Sequence, residues 1–338
     1  MKAAILHAPY DLRVQNTRVT APRPGDVVVK VAMAGLCGTD YRIWTGDRRV
    51  GYPRVLGHEF VGTVAETGFA VTRVRVGDRV AVEPNYSCGR CPLCREGNRN
   101  LCFQRTTIGI DVDGAFAELA RVPERCCWAV PAKVADDDAL LAEPLAVVTR
   151  AVKRGAPRAG ETAAVVGAGT LGLLALQVLT AAGARVLVVS RTSRRFAMAK
   201  ALGAADTHAV SAGSLDGAAQ QFSGREGVDL VIETAGSAMA VQHALSLVRP
   251  GGRVVLTGLP HEPTPVAFFS VVRREVTITG SMIYQDEFGE ALRLLESGAV
   301  RGEPLVTHRF DLDAIGEAFD AHHDPASIKV AVAPGKSS

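Results

Sequence analysis

The sequence has no long uninterrupted apolar run, no block of like charges and no internal repeat. Its most apolar stretch, 171–189, is broken by Gln177, Gly183 and Arg185. It therefore reads as a buried helix followed by a buried strand, because a bilayer span needs about 20 apolar residues in succession. Lysine and arginine number 38 against 35 acidic residues, a formal charge of +3. Without basic tracts nothing marks a surface for nucleic acid or an anionic membrane, and neither partner is expected. The opening Met1-Lys2-Ala3-Ala4-Ile5 passes directly into strand-like sequence, without the basic, apolar and small-residue succession of an export signal, so a cytoplasmic protein is expected. Seven cysteines in such a chain, four of them between 88 and 102, argue against a disulfide framework and for metal.

What is there suffices for a large core: 338 residues, 47% hydrophobic and 22% charged, which most naturally form two domains. Through residues 1–145, short apolar runs such as 27–31, 61–64 and 79–82 are cut by Gly, Pro and Asp, the texture of a β-rich domain. From 163 onward the apolar strands 163–166, 185–189, 228–232, 253–257 and 276–279 alternate with helix-length segments. That alternation predicts an α/β domain over 146–283 with a doubly wound parallel sheet. In the tail, 284–338, a helix (286–297), a strand (304–310), a helix (314–321) and a strand (328–332) are expected to return to the first domain, leaving 334–338 as a frayed polar end.

Gly167-Ala168-Gly169-Thr170-Leu171-Gly172 follows the strand 163–166 and opens a helix through Leu173, Leu176 and Leu179. A G-x-G-x-x-G pattern in that setting is a dinucleotide site: Gly167 permits the turn, Gly169 lets the backbone approach the pyrophosphate, and Gly172 lets helix pack on strand. The second strand should end at an acid that grips the ribose 2′-hydroxyl of NAD, but Ser190-Arg191-Thr192-Ser193-Arg194-Arg195 stands there. A carboxylate would repel a 2′-phosphate, whereas Ser190 can donate to it and Arg191 can pair with it. NADP(H) is therefore expected over NAD(H), with Arg195 among the contacts.

Cys88, Cys91, Cys94 and Cys102 lie in a polar loop with Gly89, Pro92 and Gly97. Four thiolates suit a closed, tetrahedral structural zinc that leaves no position for substrate. A zinc-finger-like nucleic-acid module aided by Arg90, Arg95 and Arg99 is the weaker reading, since no recognition helix follows. A second set, Cys37, His58 with Glu59, and Glu143, offers a thiolate, an imidazole and a carboxylate, three zinc ligands with a vacancy, as a catalytic zinc requires.

These motifs together, Cys37-Gly38-Thr39-Asp40, Gly57-His58-Glu59-x2-Gly62-x5-Gly68-x2-Val71, the four-cysteine lobe and the Rossmann glycines, resemble the zinc-containing medium-chain alcohol dehydrogenases over nearly the whole chain. Glu143-Pro144-Leu145 is most similar to the polyol (sorbitol) and threonine dehydrogenase branch. The resemblance implies a GroES-like catalytic domain bearing the structural zinc lobe, joined to a Rossmann domain, and two zinc ions per chain. It implies hydride transfer between the nicotinamide and a secondary alcohol or polyol, or the matching ketone or aldehyde, in a homodimer or homotetramer. Cys37 and His58 would ligate the catalytic zinc, with Glu59 and Glu143 sharing the remaining coordination. Asp40 would fix the His58 tautomer, Thr39 would hold the substrate oxygen, and Lys329 in Ser327-Ile328-Lys329-Val330 would reach the pyrophosphate. Arg42 departs from the pattern, because many members place a relay histidine there and arginine cannot act as one. A zinc-free quinone or enoyl reductase, or a non-catalytic NADPH-binding sensor, would share the fold but leave the zinc ligands without purpose. Tyr41 and Trp44 are expected in the substrate cleft or the core, Cys126 and Cys127 in packing, and His208, His243, His261, His308, His322 and His323 in surface or structural roles.

Overall fold

A computed structural model describes residues 1–260 and 262–335; His261 and the end of the expected polar tail, 336–338, lie outside the described residues. The chain divides into two compact units, Met1–Glu143 with Ala291–Glu296 and Gly302–Ser338, and Pro144–Glu290 with Ser297–Arg301.

The first unit is built around the strand Asp26–Leu36, whose apolar residues 27–29, 34 and 36 are buried. It pairs antiparallel with Glu59–Thr67, Leu119–Pro123 and Lys329–Ala333. Of the tail, Lys329–Ala333 and Val306–Asp311 join this unit, Val306–Asp311 completing the edge parallel to Lys329–Ala333, while 284–290 and 297–301 belong to the second. On the other side Glu59–Thr67 pairs with Arg79–Val82, which pairs with Cys127–Ala129. A smaller sheet joins Lys2–Ala8, Asp11–Asn16 and Arg54–Val55. Between the sheets and the helix Ile315–Ala321 lies an apolar core that includes Ile43, Phe60, Phe116 and Phe319. Tyr41 and Trp44 pack against this core, and Trp44 meets Phe319 at a 46° tilt with ring centroids 5.3 Å apart; Cys126 and Cys127 are buried within the core.

The second unit is a parallel sheet in the order Asp206–Ala209, Arg185–Ser190, Thr162–Val166, Val228–Glu233, Val248–Leu256, Thr277–Gly280. In chain order this is 3-2-1-4-5-6, the doubly wound arrangement with its switch point beside the first strand. Central strands covered on both faces read as near-continuous apolar runs; Thr162–Val166 and Val228–Glu233 are buried throughout, and their polar residues are paired, Thr162 donating to Asp229 at 2.8 Å and Glu233 accepting from the Ala235 and Gly236 N–H groups. The edge strand Asp206–Ala209 (DTHA, half exposed) carries no apolar run and was not anticipated. Among the described residues no helix is long and apolar enough to cross a membrane.

Phe116 is fully buried and meets Phe319 edge-on at 6.1 Å. Phe116→Ala is expected to destabilise the first unit by about 3–5 kcal/mol through lost burial and a residual cavity, measured as a lower midpoint in denaturant.

Candidate active site and metal centres

Where Asp26–Leu36 ends, Cys37 caps the helix Gly38–Thr45. Asp40 in its first turn is fully buried. One carboxylate oxygen accepts from the Cys37 backbone N–H at 3.0 Å, and the other accepts from the Gly57 N–H at 3.2 Å and pairs with His58 Nδ1 at 3.3 Å. Burial alone would raise the Asp40 pKa, but the His58 charge and these hydrogen bonds outweigh it and lower the pKa, keeping the group anionic. The carboxylate therefore fixes the thiol-bearing turn and the imidazole together, turning the other ring nitrogen of His58 outward. Cys37, His58 and Glu59 each bring one ligand atom, all within 4.8 Å of one another. Thr39, half buried, sits in the same first turn. Thiolate, imidazole and carboxylate are the donors zinc prefers, and three of them leave a coordination position for a substrate oxygen.

Glu143 stands outside that cluster, buried in the first turn of the helix Ala142–Gly155. Lys329, expected at the pyrophosphate, lies beside the Cys37 cluster. It is 4% exposed, and its ammonium donates to Glu59 Oε2 at 2.5 Å and to the Leu36 carbonyl at 3.3 Å. The register explains the meeting: Val330 lies opposite Leu36, and Gly35 opposite Glu59. Gly35 leaves the space, since a β-carbon there would stand 2.5 Å from Glu59 Oε2. Sequence reasoning also gave His322 no role at this site. Its Nε2 is 3.8 Å from where a β-carbon on Gly38 would be, and it stacks on Tyr41 with His323 edge-on to the same ring. Burial first, then the charges of Lys329 and His323, push His322 down to about 4, so it is neutral. His322 follows a helix whose docking the sequence did not reveal, so no local signal could have found it.

The four-cysteine lobe fits a closed zinc site. Sulfur separations are 3.5 Å for Cys91–Cys94 and Cys88–Cys102, 3.9 Å for Cys91–Cys102 and 4.0 Å for Cys88–Cys94. Zinc–sulfur bonds of about 2.3 Å in a tetrahedron require edges of about 3.8 Å. Backbone N–H groups of Arg90 and Cys91 push the Cys88 thiol down to about 6, toward the thiolate a metal needs.

In the second unit, Gly167 takes φ +108° and Gly169 caps the helix Thr170–Ala181. A β-carbon on Gly172 would stand 1.9 Å from the Gly167 carbonyl oxygen, so the turn admits only glycine there. Thr170 and Leu171 form the helix's first turn. Ser190 ends its strand, and no acid follows. Arg195 donates to the Ala168 carbonyl at 3.1 Å, fastening its guanidinium over the glycine turn. Burial and then the nearby Arg191 charge lower its pKa.

Two family models match the chain, "Alcohol dehydrogenase GroES-like domain" over residues 23–132 and "Zinc-binding dehydrogenase" over residues 170–297. The chain is 36% identical over 346 residues to L-threonine 3-dehydrogenase of Bacillus velezensis, covering 99% of each. A zinc-binding dehydrogenase of Sinorhizobium meliloti 1021 bound to NADP superposes with a TM-score of 0.94 at 34% identity, over 98% of this chain and 99% of that one. The alcohol dehydrogenase RspB of Escherichia coli CFT073, complexed with NADH, gives 0.92 at 34% identity over the same shares.

Removing the Asp40 carboxylate strands three buried groups at once. Asp40→Ala is expected to cost roughly 3 kcal/mol or more, since each buried donor left unpaired costs about 1–3 kcal/mol. Thermal or chemical unfolding of the purified variant measures it.

Proposed function

The chain belongs to the zinc-containing medium-chain alcohol dehydrogenase family, and we propose that it moves a hydride between NADP(H) and a secondary alcohol or polyol, or the corresponding ketone or aldehyde. The observation that carries this reading is the convergence of the Cys37, His58 and Glu59 ligand atoms within 4.8 Å of one another, a set of three donors that would leave a tetrahedral zinc one further position.

Cys37 and His58 would hold a catalytic zinc, with Glu59 and Glu143 providing the carboxylate, and Cys88, Cys91, Cys94 and Cys102 a second, structural one. When bound, zinc supplies a Lewis acid for the substrate oxygen and the nicotinamide supplies or accepts the hydride. The protein's own part is positional. Asp40 holds the ring orientation of His58, and second-sphere carboxylates of this kind raise the basicity of a histidine ligand. The Thr39 hydroxyl, one turn from Cys37, holds the substrate oxygen and passes its proton. The Arg42 guanidinium offers donors and no acceptor, so the proton leaves Thr39 by another path.

For the cofactor, Gly167, Gly169, Thr170, Leu171 and Gly172 form the diphosphate turn. Ser190, Arg191 and Arg195 replace the acid that would repel a 2′-phosphate, which favours NADP(H). Among the described residues the edge strand Thr277–Gly280 has no neighbour beyond it in its sheet. Close by in sequence Phe268, Phe269 and Val272 are 67%, 78% and 75% exposed, features that favour a homodimer or homotetramer. A zinc-free reductase would leave both groups of metal donors without use.

The deciding measurement is the nicotinamide absorbance change with NADP(H) and with NAD(H), over polyols, secondary alcohols, ketones and aldehydes; silence across the panel with zinc and NADPH both bound would overturn the reading. Cys37→Ser is expected to lower kcat/KM more than about a hundredfold, since losing even an outer-sphere partner costs 10–100-fold, while NADPH binding is retained. In Ser190→Asp, preference should move toward NADH by about tenfold or more from charge repulsion, read as the ratio of kcat/KM values; an unchanged ratio would remove Ser190 from the 2′-phosphate site.

A further inference from the structure

A divalent ion in the Cys37 site would address the same carboxylate that Lys329 already holds. Glu59 is 2% exposed and Lys329 4%, so neither can exchange its partner for water. Lys329 lies at the end of the sheet where Gly35, opposite Glu59, leaves room for both side chains. The Lys329 ammonium donates to Glu59 Oε2 at 2.5 Å and to the Leu36 carbonyl at 3.3 Å, so one carboxylate oxygen is already engaged. The formal charges then balance. The Cys37 thiolate and the Glu59 carboxylate, with the buried carboxylate of Glu143 counted beside that cluster, exceed a divalent ion by one negative charge, and the ammonium paired with Glu59 cancels it.

We propose that Lys329 is a positioning residue that shares Glu59 with the metal, holding one carboxylate oxygen itself and limiting Glu59 to a single, weak oxygen donor. A carboxylate free to bind through both oxygens would fill the position that a substrate oxygen needs, and the nearby unit charge weakens the site's hold on a dication. The inference rests on the zinc reading of this site. Methionine at 329 would release both oxygens to the metal, whereas arginine would take both through its planar fork. The two substitutions therefore push metal binding in opposite directions, which a merely structural role would not do.

The test uses the full chain with zinc in the four-cysteine lobe and Co2+ titrated into the open site, followed by chelator competition and the visible cobalt band. K329M is expected to bind Co2+ about tenfold or more tighter than wild type, from loss of the neighbouring positive charge, with a weaker band as the coordination number rises. K329R is expected to bind Co2+ about tenfold or more weakly, as the guanidinium fork occupies Glu59. Wild-type affinity and band in the folded variants would overturn the inference. Should K329M fail to fold, K329R decides alone: weaker binding supports the inference and wild-type binding overturns it. A wild-type chain that takes up no Co2+ at this site would overturn the zinc reading, and the inference with it, whereas unchanged variants overturn the inference only.

Discussion

The Asp40 carboxylate is the constraint on which the candidate site depends. It is a buried anion, and a buried anion is tolerable only when fully hydrogen-bonded. Its three partners come from three places: the turn that bears Cys37, the backbone at Gly57 and the ring of His58. Satisfying one carboxylate therefore fixes a thiol and an imidazole relative to each other, although 21 positions separate them in the chain. The energetic need of Asp40 and the geometric need of a metal site are met by the same contacts.

Much of this was legible because the informative residues are close in sequence. The glycine turn, the four cysteines and the Cys37 and His58 segments each fall within a short window, where spacing alone restricts geometry. The strands of the parallel sheet announced themselves through continuous apolar runs, and the exception, Asp206–Ala209, is an edge strand that needs none. Lys329 was the opposite case. A lysine in a C-terminal strand gives no sign of its partner, because the Glu59 contact spans 270 positions and depends on strand register and on an absent side chain at Gly35. His322 was hidden for the same reason, and the packing of Tyr41 and Trp44 became plain only once the helix Ile315–Ala321 was docked.

The two units divide the electrostatic work. In the first, a thiolate and carboxylates gather negative charge that a divalent ion and Lys329 can balance. In the second, Arg191 and Arg195 gather positive charge beside the glycine turn, where the proposed reading places the cofactor's phosphates, and Arg195 is steadied by the Ala168 carbonyl. Each charge cluster is complementary to a cofactor of opposite sign, which is why metal and dinucleotide belong to different regions of the chain.

The antiparallel return of Lys329–Ala333 also sets an order of events during synthesis. Cys37, His58 and Glu59 emerge among the first sixty residues, but the cation that neutralises Glu59 follows 270 residues later. At typical translation speeds that interval is roughly 15–50 s. Until then the carboxylate cannot be buried without a large desolvation cost, so the strand that bears it stays open at that end. A chain cut short before residue 329 would hold the donors without their counter-charge, and a nascent chain would complete this site only after the strand Lys329–Ala333 has been made.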